Sequence, residues 1–167
     1  MSAIKLALVV CGIGLTMLAS AARAQNTNPL RYKRSVVSGK EAVVGFGVRW
    51  NNACRVIGVP EVALDVAPER GFVCIRRGVS AARNVLFGGA THCLNDPKMN
   101  GVQVIYQSRL GYAGDDLFGY TLKYPRGARR YLVTIDVKPG SVNRTRDQSM
   151  LERQPHGPMP ECAALVS

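Results

Sequence analysis

In the run KEAVVGFGVRW, Ala42, Val44, Phe46, Val48 and Trp50 fall on one side of an extended chain, and Glu41, Val43, Gly45, Gly47 and Arg49 on the other. Successive side chains of a strand point to opposite faces, so this alternation predicts a strand with one buried face. The same period returns at Val62, Leu64 and Val66, at Phe72 to Arg76, and at Val102, Val104 and Tyr106. It returns again at Phe118, Tyr120, Leu122 and Tyr124, and at Tyr131, Val133, Ile135 and Val137. Between these runs lie turn signals. Pro68-Glu69-Arg70-Gly71 fits a type I turn and predicts a hairpin joining its two flanking strands. Pro125 to Arg129 predicts another turn, and Pro139-Gly140 ends the last strand. Gly78 to Gly101 lacks a period and reads as one long irregular connection, pinned at Cys93 by a disulfide. Six or so short strands with little helix predict an all-β domain. Each strand has one face to bury, so two antiparallel sheets packed as a sandwich are expected.

The two ends of the chain behave differently. Lys5, the apolar run Leu6 to Leu18 and the small-x-small triplet Ala22-Arg23-Ala24 form the pattern of a secretory signal peptide, cut after Ala24. The run is too short to span a bilayer, and no later segment is apolar enough to do so. Val10 stands where a lipobox needs a small residue before Cys11, which argues against a lipid anchor. Removing 24 of 167 residues leaves 143, enough for one domain with one core. The expected organisation is a signal peptide over 1–24, a loose N-terminal arm over 25–35, a sandwich over 36–138 and an irregular tail over 139–167. The expected location is the periplasm or outside the cell. There the remaining Cys54, Cys74, Cys93 and Cys162 read as two disulfides, with three connectivities open and no C-x-x-C spacing. Cys162 is placed to tie the tail to the body.

Charge changes the picture of partners more than the picture of fold. The formal charge is +11; cleavage removes Lys5 and Arg23 and no acidic residue, which leaves +9. An Arg-rich exported protein is biased toward anionic glycans and lipid headgroups. Arg76, Arg77, Arg126, Arg129 and Arg130 form a candidate anion patch if the strand ends that carry them meet at one pole; scattered, solvated charge is the plainer expectation. Arg144 and Arg146 form a further basic pair, and Asn143 to Thr145 fits a glycosylation sequon. No nucleic-acid motif is present. His92 with Asp96 makes too thin a metal site, since a disulfide-bonded Cys93 cannot ligate. Ser80 and Ser108 lack the frame of a hydrolase nucleophile. Asp115 and Asp116 are adjacent on a strand, so they face opposite ways and cannot share a substrate. Capping of turn amides is their expected role, with a calcium site completed by loop carbonyls as the alternative. No catalytic residue, cofactor or metal is expected, and the protein is expected to be a monomer. "VLFGG" (Val85 to Gly89) is a candidate apolar contact.

The stretch YQSRLGYAGDDLFGY, Tyr106 to Tyr120, reads as the corner of the fold. Tyr106 ends one strand facing inward, Gly111 and Gly114 allow positive φ, Tyr112 covers the corner, and Phe118 and Tyr120 resume the inward alternation. This stretch resembles the signature of bacterial immunoglobulin-like and cadherin-like domains, carried by Tyr106, Gly111, Tyr112, Gly114, Asp116, Phe118 and Tyr120. The Pro-x-x-Gly turn at Pro68 to Gly71 resembles the turn that precedes the signature, and the likeness covers about Gly58 to Lys138. Ser108 departs from the family's usual proline, and the Asp-rich calcium motifs of cadherin repeats are missing, so calcium bridging is not carried over. The resemblance implies a single antiparallel immunoglobulin-like β-sandwich. With the export pattern and no catalytic motif, the expected function is a non-catalytic binding or structural module of the cell envelope that contacts an envelope component or another protein. An arginine-patch binder of anionic polysaccharide or lipid is the first alternative and a hydrolytic enzyme the last. The resemblance also implies a Cys54–Cys93 disulfide, which leaves Cys74 for Cys162.

Overall fold

The structure, a computed structural model, describes residues 28–80, 93, 98–140 and 154–162. The expected signal peptide, His92, Asp96, "VLFGG", Arg144, Arg146 and the sequon lie outside the described residues. Ten strands form, and no helix among the described residues. They are β1 (Leu30–Val37), β2 (Glu41–Gly47), β3 (Arg49–Trp50), β4 (Val56–Gly58), β5 (Glu61–Val66), β6 (Gly71–Ser80), β7 (Met99–Ser108), β8 (Gly114–Tyr124), β9 (Gly127–Lys138) and β10 (Gly157–Pro158). One sheet runs β1-β9-β8-β5-β10, a second β2-β7-β6, and β3 with β4 make a small ribbon. The protein is all-β.

The main core lies between the two larger sheets. Val62, Leu64, Phe118, Tyr120, Leu122, Tyr131, Val133, Ile135 and Val137 come from the first; Val44, Val73, Val102, Val104 and Tyr106 come from the second. These are the alternating positions of the sequence, with every second residue turned inward. Each large side chain so buried contributes about 1.5–3 kcal/mol of transfer free energy.

Four expectations need correction. First, Pro68 to Gly71 does not close a hairpin. β5 pairs with β8 and β6 pairs with β7, so this turn carries the chain from one sheet to the other. A turn signal marks a reversal, and only the partners decide whether the flanking strands pair. Second, one face does not hold Ala42 through Trp50. A bulge between Val43 and Gly45 gives β2 an extra residue, so Phe46 faces Gln103, on the side turned away from the main core. There Phe46, Val48 and Trp50 build a second small core with Met99 and Cys93, and Cys54 packs against it. Third, Leu30 to Ser35 of the expected loose arm belong to β1, which pairs in parallel with β9, so the first sheet is not purely antiparallel. Fourth, the expected irregular connection begins later and ends earlier: Gly78 to Ser80 and Met99 to Gly101 extend the β6–β7 pairing.

The tail is tied down more firmly than its composition implies. Gln154 is buried, and its side chain accepts the Val73 N–H at 3.0 Å and donates to the Val73 carbonyl. Pro160 O accepts the Ile75 N–H at 2.8 Å, and the Met159 N–H reaches Val62 O at 3.0 Å. Replacing Gln154 by alanine leaves the Val73 amide and carbonyl without these partners. The expected loss is about 1–3 kcal/mol in denaturant unfolding, with the slope unchanged. An unaltered midpoint would mean that the Gln154 contacts contribute nothing.

The two disulfides are Cys54–Cys93 and Cys74–Cys162, with Cα–Cα distances of 5.2 and 5.0 Å. Both support the outer face of the three-stranded sheet. The first secures the Phe46–Trp50 cluster; the second joins Cys162 to Cys74, beside Ile105 and Phe72.

Candidate functional site

Asp116 organises the corner. It sits near the start of β8 and is 6% exposed. Oδ1 accepts the amide N–H groups of Glu69 at 3.0 Å and of Leu117 at 2.9 Å. Oδ2 accepts the Arg70 amide at 3.1 Å and the Tyr106 hydroxyl at 2.8 Å. A carboxylate offers about four lone-pair positions, and four donors fill them. The expected turn-capping role is thus seen, and Asp116 does it: its carboxylate fastens the Pro68–Gly71 crossover to the opposite sheet. Gly71 is needed for this. A Cβ there would stand 2.5–2.6 Å from the Tyr106 ring, which passes over it to reach Asp116. Gly111 and Gly114 adopt φ of 78° and 131°, the conformations anticipated for the turn. The Tyr112 hydroxyl donates to Asp115 O at 2.6 Å, and the Arg70 guanidinium lies 5.7 Å from its ring centre.

Asp115 points the other way, to the exposed face of the first sheet. It stands directly opposite Asp136, a like-charge pair that is unfavourable without cations. Lys33 Nζ lies 3.7 Å from both carboxylates and Lys138 Nζ 2.9 Å from Asp136. Hydrogen bonding from Lys138, joined by the Lys33 charge, holds the Asp136 carboxyl below its usual range. Asp115 and Asp116 therefore share no site. Among the described residues no three His, Cys, Asp or Glu side chains converge as metal ligands. Ser108 is buried, and its Oγ accepts the Gly39 N–H at 2.9 Å.

From the corner an aromatic ladder runs through the core. Tyr106 stacks on Phe118 at 6.0 Å, Phe118 on Tyr120 at 5.9 Å, and Tyr120 on Tyr131 at 4.9 Å. Tyr32 closes it edge-on to Tyr131, with its hydroxyl 2.9 Å from that of Tyr120 and 3.0 Å from Val44 O. Every buried side-chain N or O among the described residues has a partner. Burial pushes the phenols of Tyr32 and Tyr124 up to about 12, and those of Tyr106, Tyr120 and Tyr131 also upward. For Tyr106 the hydrogen bond to Asp116 adds to the effect of burial.

A phenol with a raised pKa keeps its proton in the folded state at pH values where the unfolded chain releases it. This stability is complete below about pH 10 and is lost as pH rises through the folded values. Alkaline unfolding is expected to begin above pH 10, with the tyrosinate absorbance of these five groups rising together with the loss of near-UV ellipticity. Half-ionisation of these phenols at pH 10, as for exposed tyrosines, with near-UV ellipticity intact would refute their burial.

Two of the five candidate anion-patch residues, Arg76 and Arg130, do not come together. Arg76 lies opposite Gln103 on the outer face of the three-stranded sheet, with Nη1 3.4 Å from Glu41. Arg130 lies opposite Thr121 on the outer face of the other sheet, 3.9 Å from Asp65. The two therefore stand on opposite outer faces. Arg126 is in the β8–β9 turn, and Arg77 and Arg129 are exposed on β6 and β9. Two residues of structural weight were not anticipated. Tyr32 follows an alternation, Leu30, Tyr32 and Val36, that Arg34 interrupts; Arg34 lies over the Tyr32 ring at 5.0 Å. Gln154 sits among prolines and carries no sequence signal. Set against family models, curated proteins and solved structures, the chain matches none of them.

Proposed function

We propose that the chain is a small exported immunoglobulin-like module of the bacterial cell envelope that binds or scaffolds and does not catalyse. One observation carries this reading: the strand order. β5-β8-β9 and β2-β7-β6 follow the C-F-G and B-E-D arrangements of an immunoglobulin sandwich, with the first strand laid on the last instead of beside the second. Tyr112 lies at the matching corner, although its hydroxyl reaches a carbonyl three residues downstream instead of upstream. The signal-peptide pattern and two disulfides are compatible with an oxidising compartment.

Cell fractionation with N-terminal sequencing tests export. Mature protein starting at Gln25 with no free thiol is expected; a cytoplasmic chain retaining Met1 with free cysteines overturns the proposal. Pull-down from envelope extract at low and high salt tests the mode of binding. An apolar protein contact survives high salt, whereas an anionic glycan or lipid ligand is released steeply.

A further inference from the structure

The free edges of β5 and β6 lie on the same side of the molecule, and one short segment serves both. Gly157 and Pro158 pair with Leu64 and Ala63 of β5, and Met159 N–H continues to Val62 O. Pro160 O then takes the Ile75 N–H of β6, Glu161 bridges Ile75 in parallel, and Cys162 joins Cys74. Met159 is 4% exposed within the main core. We propose that the gap between β5 and β6 is a strand-acceptor site, filled in cis by residues 154–162 and latched by the Cys74–Cys162 bridge, and that a second copy of this chain fills it with the same segment once the latch is opened.

Recognition here is by backbone edges, one apolar plug and one amide, the chemistry by which sheets accept an added strand. An identical copy presents the same segment, so exchange remakes every contact and closes a twofold dimer. Thirteen residues separate Gly140 from Gln154, a contour of up to about 45–50 Å, which is enough to reach a neighbour. Pro155, Pro158 and Pro160 have no N–H to offer to a further strand, which limits the addition to one segment. The bridge gives the cis segment its advantage by holding it at high effective concentration. A dithiol opens it by thiol–disulfide exchange. The dithiol becomes a cyclic disulfide, and Cys74 and Cys162 each take one electron and one proton.

Full-length mature protein carrying Cys74→Ser and Cys162→Ser, with Cys54–Cys93 intact, is measured by size-exclusion light scattering over a hundredfold concentration range. A concentration-dependent dimer is expected, with oxidised wild type monomeric throughout. A variant that stays monomeric, or a wild type equally dimeric while oxidised, overturns the proposal. A second arm covers a variant that does not fold. Equal amounts of ¹⁴N- and ¹⁵N-labelled wild type are reduced together with dithiothreitol at high concentration and reoxidised. The Cys74–Cys162 peptides are then weighed, and about half are expected to carry one label from each copy. Linked peptides with only a single label, or no restored Cys74–Cys162 linkage, overturn it.

Discussion

Replacing Asp116 with alanine is expected to lower the unfolding free energy by about 3–5 kcal/mol, since four donors lose one shared charged acceptor. Hydrogen bonds to a charged group contribute about 1.5–3 kcal/mol each, but water can reach the outer donors and the four do not add. The Tyr106 hydroxyl cannot be rehydrated so easily, because Tyr106 is fully buried. The Asp116→Asn variant separates charge from shape. Its amide keeps the volume but turns one oxygen into an N–H donor that faces other donors, so an intermediate loss is expected. Guanidinium denaturation reads both variants from the midpoint, with the slope unchanged. A midpoint for Asp116→Ala equal to that of wild type would remove the corner from the account of stability.

Tyr120→Ala is expected to cost about 3–5 kcal/mol, the range for deleting a large buried ring. Tyr120 is 1% exposed and stands between Phe118 and Tyr131 in the ladder, so its loss takes one stacking contact from each of these two rings. Tyr120→Phe keeps the ring and loses only the hydroxyl contact to Tyr32. That hydroxyl can still donate to Val44 O, so the expected cost is about 1 kcal/mol. Thermal unfolding of the pair isolates the ring from the hydroxyl. Equal melting temperatures for the two variants would show that the ring does not carry the effect.

The strands were legible wherever one rule acted alone. Val133, Ile135 and Val137 alternate without interruption, and each is buried in the core. The rule failed where a second influence entered. At Val44 an extra residue turns Phe46 to the other face, and nothing in a run of small and apolar residues marks which one is extra. In β1 the interruption at Arg34 hid a strand, because an aliphatic stem with a charged head can lie over an aromatic ring at a sheet edge. The corner itself was well marked, since glycines at positive φ and an inward aspartate leave a local signature. Its partner was not: the Pro68–Gly71 turn looked like a hairpin, and only the pairing of β5 with β8 and of β6 with β7 reveals a crossover. Arg76 and Arg130 fall apart because proximity to turns says nothing of which face a residue takes.

The account rests on that crossover, held by one carboxylate while alternate residues close two sheets over a common core. Nuclear Overhauser spectroscopy on isotopically labelled mature protein tests it most directly. Cross-strand contacts are expected between Leu64 and Tyr120 and between Val73 and Tyr106, with slow exchange of the Glu69 and Arg70 amides. Cross-strand contacts running from Leu64 to Phe72, with those two amides exchanging freely, would contradict it.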